Sequence, residues 1–157
     1  MTITPAIHRL LEVSEVEARA LKHPSISSHH LLLGLVVIGD GASDVILRSM
    51  GLSRQSVLES IGRHGPSLDV IAGVEEFICD SSTVRVLRRA ARGSHFLSHT
   101  QMGLEHILMS LLSERSGGAA GVFRDHNADT MAARRRLIRN CSWSVPAVSS
   151  GPTRSLE

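Results

Sequence analysis

The sequence predicts an all-α protein, an eight-helix bundle made of two four-helix repeats related by a pseudo-twofold axis. The first observation is an internal repeat, because a shift of 76 residues places residues 28–35 on residues 104–111 and pairs His30 with His106. The second is that apolar residues recur at a helical period of about 3.6 residues in both halves. The third is size, since 157 residues can bury one core without disulfides or metal ions.

The first element of each repeat is predicted to be an amphipathic helix. Thr4 and Pro5 place a capping residue before a proline at the first helical position, where a missing N–H costs nothing. An apolar stripe then continues the helix to about Lys22. The corresponding stripe in the second repeat is formed by Thr83, Val86, Leu87, Ala90, Ser94 and Leu97.

The second element is predicted to be the central helix of its repeat. Pro24 ends the first helix, and either Ser27 or Ser28 can cap the next one. From Leu31 to Ile38 the sequence is apolar on every side of a helix, which is typical of a fully buried element.

The third and fourth elements are predicted to be short helices. After a Gly-Asp-Gly break, a helix from Ala42 to Met50 ends at Gly51, which can adopt the left-handed closing conformation. Ser53 then caps a fourth helix that ends near residue 61. Asp129 occupies the equivalent capping position in the second repeat.

The repeats define the domain organisation. The first repeat is expected over residues 4–62 and the second over residues 80–141, in one domain spanning residues 1–141. The connector 63–79 contains glycine and proline, and the tail 142–157 is rich in serine, proline and glycine, so both are predicted to be loop or linker. The final Leu-Glu is typical of a cloning scar.

Composition excludes several classes of function. The only lysine, Lys22, does not stand in a GxxxxGK[ST] loop, so a P-loop ATPase is excluded and no enzymatic activity is expected. The net charge of +2 is too small to indicate a nucleic-acid partner, and the arginines of residues 134–139 are expected to be solvated. The apolar run 31–38 is far shorter than the about 20 residues that cross a bilayer.

Cysteine and histidine give no metal or cofactor prediction. Cys79 and Cys141 form no CxxC pattern, which favours a reducing, cytoplasmic location. His95 and His99 share a helix face with His106 nearby, but the sequence offers no fourth zinc ligand. His30 and His106, which stand near helix starts, are predicted to be structural. We expect a side-chain N–H of each ring to bind backbone groups between the repeats.

Both repeats resemble the Clp amino-terminal repeat. The likeness is carried by residues 17–23 (EARALKH), 30–35 (HLLLGL) and 39–41 (GDG), and by residues 103–109 (GLEHILM) in the second repeat. The likeness extends from residue 4 to about residue 141. Over these residues the chain resembles the N-domain of ClpA/ClpC-type Hsp100 unfoldases. The resemblance marks five structural residues, which are Gly34, Gly41, Gly117, His30 and His106.

The resemblance implies a function in protein binding. In that family the N-domain binds protein substrates and adaptor proteins and passes them to AAA+ rings. The chain is therefore expected to be a monomeric docking module of a Clp protease system, with no cofactor. The alternative is a free-standing Clp N-domain protein that competes for adaptors, substrates or cyclic peptides.

The resemblance also implies candidate binding residues. In ClpC-like members each repeat can hold a phosphorylated arginine, with a Glu before the motif histidine on the guanidinium and a Thr at the first helix start on the phosphate. The first repeat has Thr4 but carries His29 in place of the Glu. The second has Glu105 but carries Asp80 and Ser81 at the phosphate end. The phosphoarginine hypothesis therefore rests on Thr4 and Glu105.

Two phenylalanines lack apolar partners in the helical stripes. Phe77 is predicted to pack in the core. Phe96 is a candidate anchor for an adaptor or an apolar peptide, because aromatic side chains often dominate protein interfaces.

Overall fold

The computed structural model describes residues 3–67, 71–74 and 76–140 of the chain. Within these residues it contains eight helices and one short hairpin. In chain order they are α1 (Pro5–Ala20), α2 (Ser28–Ile38), α3 (Gly41–Ser49), α4 (Arg54–His64), β1 (Ile71–Val74), β2 (Phe77–Cys79), α5 (Ser81–Phe96), α6 (Leu104–Leu112), α7 (Gly118–Asp125) and α8 (Thr130–Asn140). Cys141 and the tail 142–157 lie outside the described residues.

The helices repeat in the predicted order. The starts of α5, α6 and α8, at residues 81, 104 and 130, follow those of α1, α2 and α4, at residues 5, 28 and 54, by 76 positions. The left-handed residues repeat as well, with φ of 58° at both Lys22 and Ser98, and of 76° and 48° at Gly51 and Asn127. The all-α fold of two equivalent four-helix units is therefore confirmed.

Helix ends follow local chemistry. The Ser53 hydroxyl accepts the Ser56 N–H at 3.2 Å, and the Asp129 carboxylate accepts the Ala132 N–H at 2.9 Å, as expected for equivalent N-caps. Helix α1 ends two residues before Lys22, whose positive φ stops the helix, and α4 continues to residue 64 instead of 61.

Helix α2 lies at the centre of the first repeat. Its residues from Ser28 to Leu35 are all buried, but Val37 near its end is 41% exposed, so the prediction of burial on every side holds for the first two turns. It packs against α1 of its own repeat and against α6 and α7 of the other. The two repeats thus cover each other's apolar faces and form a common core.

Gly34 permits the close packing of α1 on α2. A Cβ atom at this position would lie 2.7 Å from Ser14 Oγ and 2.9 Å from Leu10 Cδ1. Any larger residue would therefore displace the side chains of Leu10 and Ser14 or separate the two helices. Gly41 and Gly117 have φ of 64° and 121° at the starts of α3 and α7, a backbone conformation that favours glycine.

The connector was wrongly predicted to be entirely loop. Strands β1 and β2 pair antiparallel within it, and Ile26 adds a parallel bridge to Cys79. In β2 the side chains alternate, since Phe77 and Cys79 are buried whereas Ile78 is 54% exposed. This period of two indicates a half-buried strand, and the glycine and proline residues around it concealed the pattern. Phe77 lies in the core, as expected.

No single helix in the described part of the chain is long and apolar enough to cross a membrane. Helices α2 and α3 satisfy the length and composition criteria only as a pair, with a bend of 105° between them.

Candidate functional site

The starts of four helices pair across the two repeats. The Thr4 hydroxyl at the start of α1 donates to the Met102 carbonyl, 3.1 Å away and just before α6. The counterpart 76 residues away is the Asp80 N–H, which donates to the Ile26 carbonyl at 3.0 Å. Beside it the Ser28 N–H at the start of α2 donates to Ser82 Oγ, 3.1 Å away in the first turn of α5. Each contact joins one repeat to the other. We call the region of Thr4, residues 102–103 and Glu105 the Thr4–Glu105 junction, and the region of residues 27–29 and 80–82 the His29–Asp80 junction.

The Thr4–Glu105 junction presents a helix start beside a carboxylate. Thr4 is the N-cap residue of α1, but its hydroxyl makes the contact to the other repeat and does not cap α1. Glu105 lies in the first turn of α6, and its side chain is 36% exposed. Its carboxylate folds back over Gly103, and one oxygen lies 3.6 Å from His106 Nδ1.

This arrangement can bind a ligand that carries both charges. The start of the 16-residue helix α1 has uncompensated N–H groups and a positive helix-dipole end, which attract an anion. The carboxylate of Glu105 can accept a charge-assisted pair of hydrogen bonds from a guanidinium. A ligand that carries both charges can therefore place its anionic group at the start of α1 and its cationic group at Glu105.

The His29–Asp80 junction is closed by its own hydrogen bonds. The buried carboxylate of Asp80 accepts the Thr83 N–H at 2.9 Å and the Ser82 hydroxyl at 2.7 Å, so it is the N-cap of α5. His29 is only 3% exposed, and its ring packs so closely on Gly118 that a Cβ there would overlap the ring.

The same junction contains a buried link to α7. The Ser28 hydroxyl donates to Glu114 Oε2 at 2.9 Å and accepts the Ala119 N–H at 3.0 Å. Burial raises the pKa of Glu114. A cavity of about 310 Å³ opens beside this link, and its lining includes Ser27, His29, Asp80, Ser81, Arg85 and Arg124.

The pairing of the predicted site residues differs from the expectation of one site within each repeat. Thr4 lies in the same junction as Glu105, and His29 lies in the same junction as Asp80 and Ser81. The two residues that match the family pattern therefore lie in one junction, and the residues that depart from it lie in the other. The reason is that α1 and α5 each start against the central helix of the other repeat.

His30 and His106 hold the starts of the central helices. In each ring Nδ1 accepts a backbone N–H at 2.9 Å, from Ser27 and from Gly103 respectively. The expected contact was a ring N–H that serves backbone groups between the repeats. The structure shows instead a ring nitrogen that accepts from the same repeat, as the Glu of a capping box does.

The two rings continue into histidine pairs. His30 Nε2 lies 2.9 Å from His23 Nδ1, and His106 Nε2 lies 2.7 Å from His99 Nδ1. Because Nδ1 of the inner ring accepts a hydrogen bond, its Nε2 carries the proton and donates to the outer ring. Each pair is thus a directed chain from a backbone N–H to an outer histidine.

Burial keeps the histidine rings at the start of α2 uncharged. It lowers the pKa of His30 to about 2, with further lowering by His29 and His23. Burial is also the largest cause that lowers the pKa of His29, to about 4. His23 and His64 lower this pKa further, and the negative charge of Asp80 raises it. The pKa of His106 is lowered too, again mainly by burial.

Three histidines around the start of α2 form the only group of three potential metal ligands among the described residues. The ligand atoms of His23, His29 and His30 lie within 4.8 Å of one another. However, both nitrogens of His30 are engaged in hydrogen bonds and Nδ1 of His23 accepts one of them, which leaves a free lone pair only on His29. A protein zinc site requires at least three ligands, so this arrangement does not suit zinc. The structure does not bring His95 into such a group with His99 and His106.

Sequence reasoning missed two polar links between distant helices. Glu17, whose side chain is 9% exposed, pairs with Arg54 through both carboxylate oxygens at 3.2 and 3.0 Å. Asp125 joins α7 to α4 through Ser60 and through His64 at 2.9 Å. The Ser60 hydrogen bond is the largest cause of the lowered pKa of Asp125. The partners stand far apart in sequence, so no local spacing predicts them.

Comparison with known proteins agrees with this architecture. The family model described as "Clp repeat (R) N-terminal domain" matches residues 2–95 and again residues 80–156. The chain is 32% identical over 147 residues to chaperone protein ClpC1, chloroplastic, of Oryza sativa subsp. japonica, covering 91% of this chain and 16% of that protein. It is 33% identical over 135 residues to chaperone protein ClpC2, chloroplastic, of Arabidopsis thaliana, covering 83% and 14%. The chain thus spans about one sixth of the length of these relatives.

Solved structures share the fold. The N-terminal domain of the caseinolytic protease associated chaperone ClpD from Arabidopsis thaliana superposes with a TM-score of 0.71 at 18% identity, covering 87% of this chain and 92% of that one. The Hsp104 N-terminal domain from Candida albicans gives 0.66 at 12% identity, covering 88% and 90%. Two family matches along one chain, two four-helix units with the same order of helices and this likeness to ClpC sequences lead to one conclusion: the chain belongs to the Clp repeat N-terminal domain family.

Proposed function

We propose that this chain binds protein substrates and adaptor proteins and delivers them to a Clp-type AAA+ unfoldase, without catalysis of its own. The observation that carries the proposal is the Thr4–Glu105 junction, where an open helix start and a partly exposed carboxylate meet at the boundary of the repeats. The family membership and the similarity to proteins named ClpC chaperones support it.

The ligand proposed for this junction is a phosphorylated arginine on a substrate. Its phosphoryl group lies at the start of α1 near Thr4, and its guanidinium pairs with Glu105. The His29–Asp80 junction does not offer a second copy of this site. There a neutral, buried histidine replaces the guanidinium partner, and the Asp80 carboxylate repels a phosphate.

Titration of the ¹⁵N-labelled chain with free phosphoarginine tests the ligand. The amide signals of Thr4 and Glu105 are expected to shift, and Glu105→Gln should weaken binding at least about tenfold by removing the charged partner of the guanidinium. Glu59→Gln is the matched control, because Glu59 is an exposed glutamate on α4 that contacts Gln55. Unmoved signals at the junction, or equal weakening by both variants, would refute this ligand.

Capture from the native lysate tests the delivery function. The wild-type chain, Glu105→Gln and Glu59→Gln are immobilised in parallel, and bound proteins are identified by mass spectrometry. Clp substrates or Clp adaptors should be enriched by the wild type and the control variant, and depleted by Glu105→Gln. If no component or substrate of a Clp system is enriched by any of the three, the proposed function is wrong.

The alternative of a free-standing competitor of Clp adaptors, substrates or cyclic peptides remains a separate proposal. Sequencing the natural reading frame beyond Glu157 separates the two, since a GxxxxGK[ST] motif downstream would establish the unfoldase. For either protein we propose a cytoplasmic location, which suits two cysteines, Cys79 and Cys141, that form no CxxC pattern.

A further inference from the structure

Helix α5 carries an arginine and phenylalanine stripe that the binding site at the repeat junctions does not use. The stripe consists of Arg88, Arg89, Arg92 and Phe96, which recur at three- and four-residue spacing and therefore lie on one helix face. All four are exposed, and Phe96 is 87% exposed, more than any other large apolar residue in the described part of the chain.

The exposed ring adjoins an apolar depression. A shallow depression that is open to solvent lies along α5 and is lined by Arg89, Ala91, Arg92, Gly93, His95 and Phe96, and the area that it exposes is almost entirely apolar. The next residue, Leu97, is 39% exposed and extends this surface. Exposed aromatic side chains beside arginine are typical of anchor positions in protein interfaces.

The charge of the stripe is not balanced locally. Helix α5 contains no acidic residue between Ser81 and Phe96. Within the described residues, no carboxylate lies within 4 Å of Arg88 or Arg92, whereas Arg19, Arg48 and Arg54 each pair with one. A partner with carboxylates would therefore supply the missing charges, as complementary interfaces do.

We propose that the α5 stripe binds an acidic peptide segment with apolar side chains, presented by an adaptor or a substrate. Carboxylates of the segment pair with Arg88 and Arg92, and an apolar side chain covers the ring of Phe96. This inference rests on the proposed protein-binding function and adds a second contact surface, away from the Thr4–Glu105 junction, with its own chemistry.

Nucleic acid suits the stripe less well. Single-stranded nucleic acids bind on several stacking aromatic rings along a basic groove, whereas this stripe has one ring on a chain with a net charge of +2. The apolar surface beside the ring favours an apolar side chain over a phosphate backbone.

The test uses a short fluorescent peptide of glutamate and leucine in a helical pattern, with two matched copies. One copy has lysine for every glutamate, and the other has serine for every leucine. Binding to the full chain is measured by fluorescence anisotropy, and the site is mapped by amide shifts. The glutamate–leucine peptide should shift the signals of residues 88–97 and bind at least about tenfold more tightly than either copy.

Variants of the stripe identify the residues responsible. Phe96→Ser and the double change Arg88→Glu/Arg92→Glu should each weaken binding of the glutamate–leucine peptide at least about tenfold. The matched control is Arg135→Glu/Arg139→Glu, an exposed pair with the same spacing on α8, which should change binding less than about twofold. Circular dichroism checks that each variant remains folded.

Four results would overturn the inference. The first two are that the glutamate–leucine peptide does not bind, or that the stripe and control variants have equal effects. The third is that poly(U) RNA or phosphatidylserine vesicles bind through the same residues more tightly than the peptide does. The fourth is that the chain sediments as a dimer which Phe96→Ser dissociates. The proposed function is tested separately, because a lysate capture in which no Clp component or substrate is enriched refutes that function and leaves the peptide result unaffected. Conversely, failure of the peptide with Glu105-dependent capture intact refutes only the α5 inference.

Discussion

Acidification from about pH 7.5 to about pH 5 is expected to destabilise the fold through His29 and His30. Both rings are buried, with exposures of 3% and 0%, and burial lowers their pKa values to about 4 and about 2. In the unfolded chain each ring titrates near the ordinary value of about 6.5. Below that pH the unfolded state binds protons that the folded state does not, so stability falls as pH falls.

The magnitude follows from the proton difference. Between about pH 6.5 and about pH 5 each histidine costs about 1.4 kcal/mol per pH unit, or about 2 kcal/mol, and the two together about 4 kcal/mol. That is a large part of the about 5 to 15 kcal/mol that stabilises an ordinary domain. Glu114 acts in the opposite direction near and above its ordinary pKa, because burial raises its pKa and the folded state then holds the extra proton.

Urea unfolding at several pH values measures this effect. The free energy of unfolding should be constant above about pH 7.5 and fall steadily below about pH 6.5. His29→Gln should remove the share of the pH dependence that His29 contributes, about 2 kcal/mol between about pH 6.5 and about pH 5, whatever it does to stability at neutral pH. His95→Gln, at an exposed ring on α5, is the control and should retain the wild-type dependence. A wild-type stability equal at both ends of the range, or an unchanged slope in His29→Gln, would refute the reasoning.

Three further substitutions test the packing by urea unfolding at neutral pH. Gly34→Ala should cost about 2 kcal/mol, because its Cβ would lie 2.7 Å from Ser14 Oγ, and an unchanged midpoint would contradict that contact. Arg54→Ala should cost about 2 kcal/mol, because it leaves the nearly buried carboxylate of Glu17 unpaired. This cost is smaller than for a fully buried ion pair, because the Arg54 side chain is 56% exposed and solvent screens its charge. The double variant with Glu17→Gln should recover part of the loss. Phe77→Ala should cost about 3 to 4 kcal/mol because the ring is 2% exposed, and a loss below about 1 kcal/mol would place the ring outside the core.

The sequence alone was sufficient for the helices and their duplication. Apolar period, capping residues such as Ser53 and Asp129, and the left-handed Gly51 are local signals, because a helix is fixed by interactions within a few residues. The 76-residue shift added the pseudo-twofold relation without any knowledge of contacts. Local signals failed at the hairpin, where a three-residue strand between glycine, proline and acidic residues is too short for its period to show.

Only the tertiary structure decided which candidate residues share a site. Sequence reasoning assigned Thr4 to the first repeat and Glu105 to the second, yet the repeats dock so that these residues occupy one junction. The burial of His29 beside Gly118 and the pairing of Glu17 with Arg54 have the same origin. Docking is set by the shapes of two apolar faces that meet at long range, and one chain's local pattern does not encode which helix starts those faces bring together.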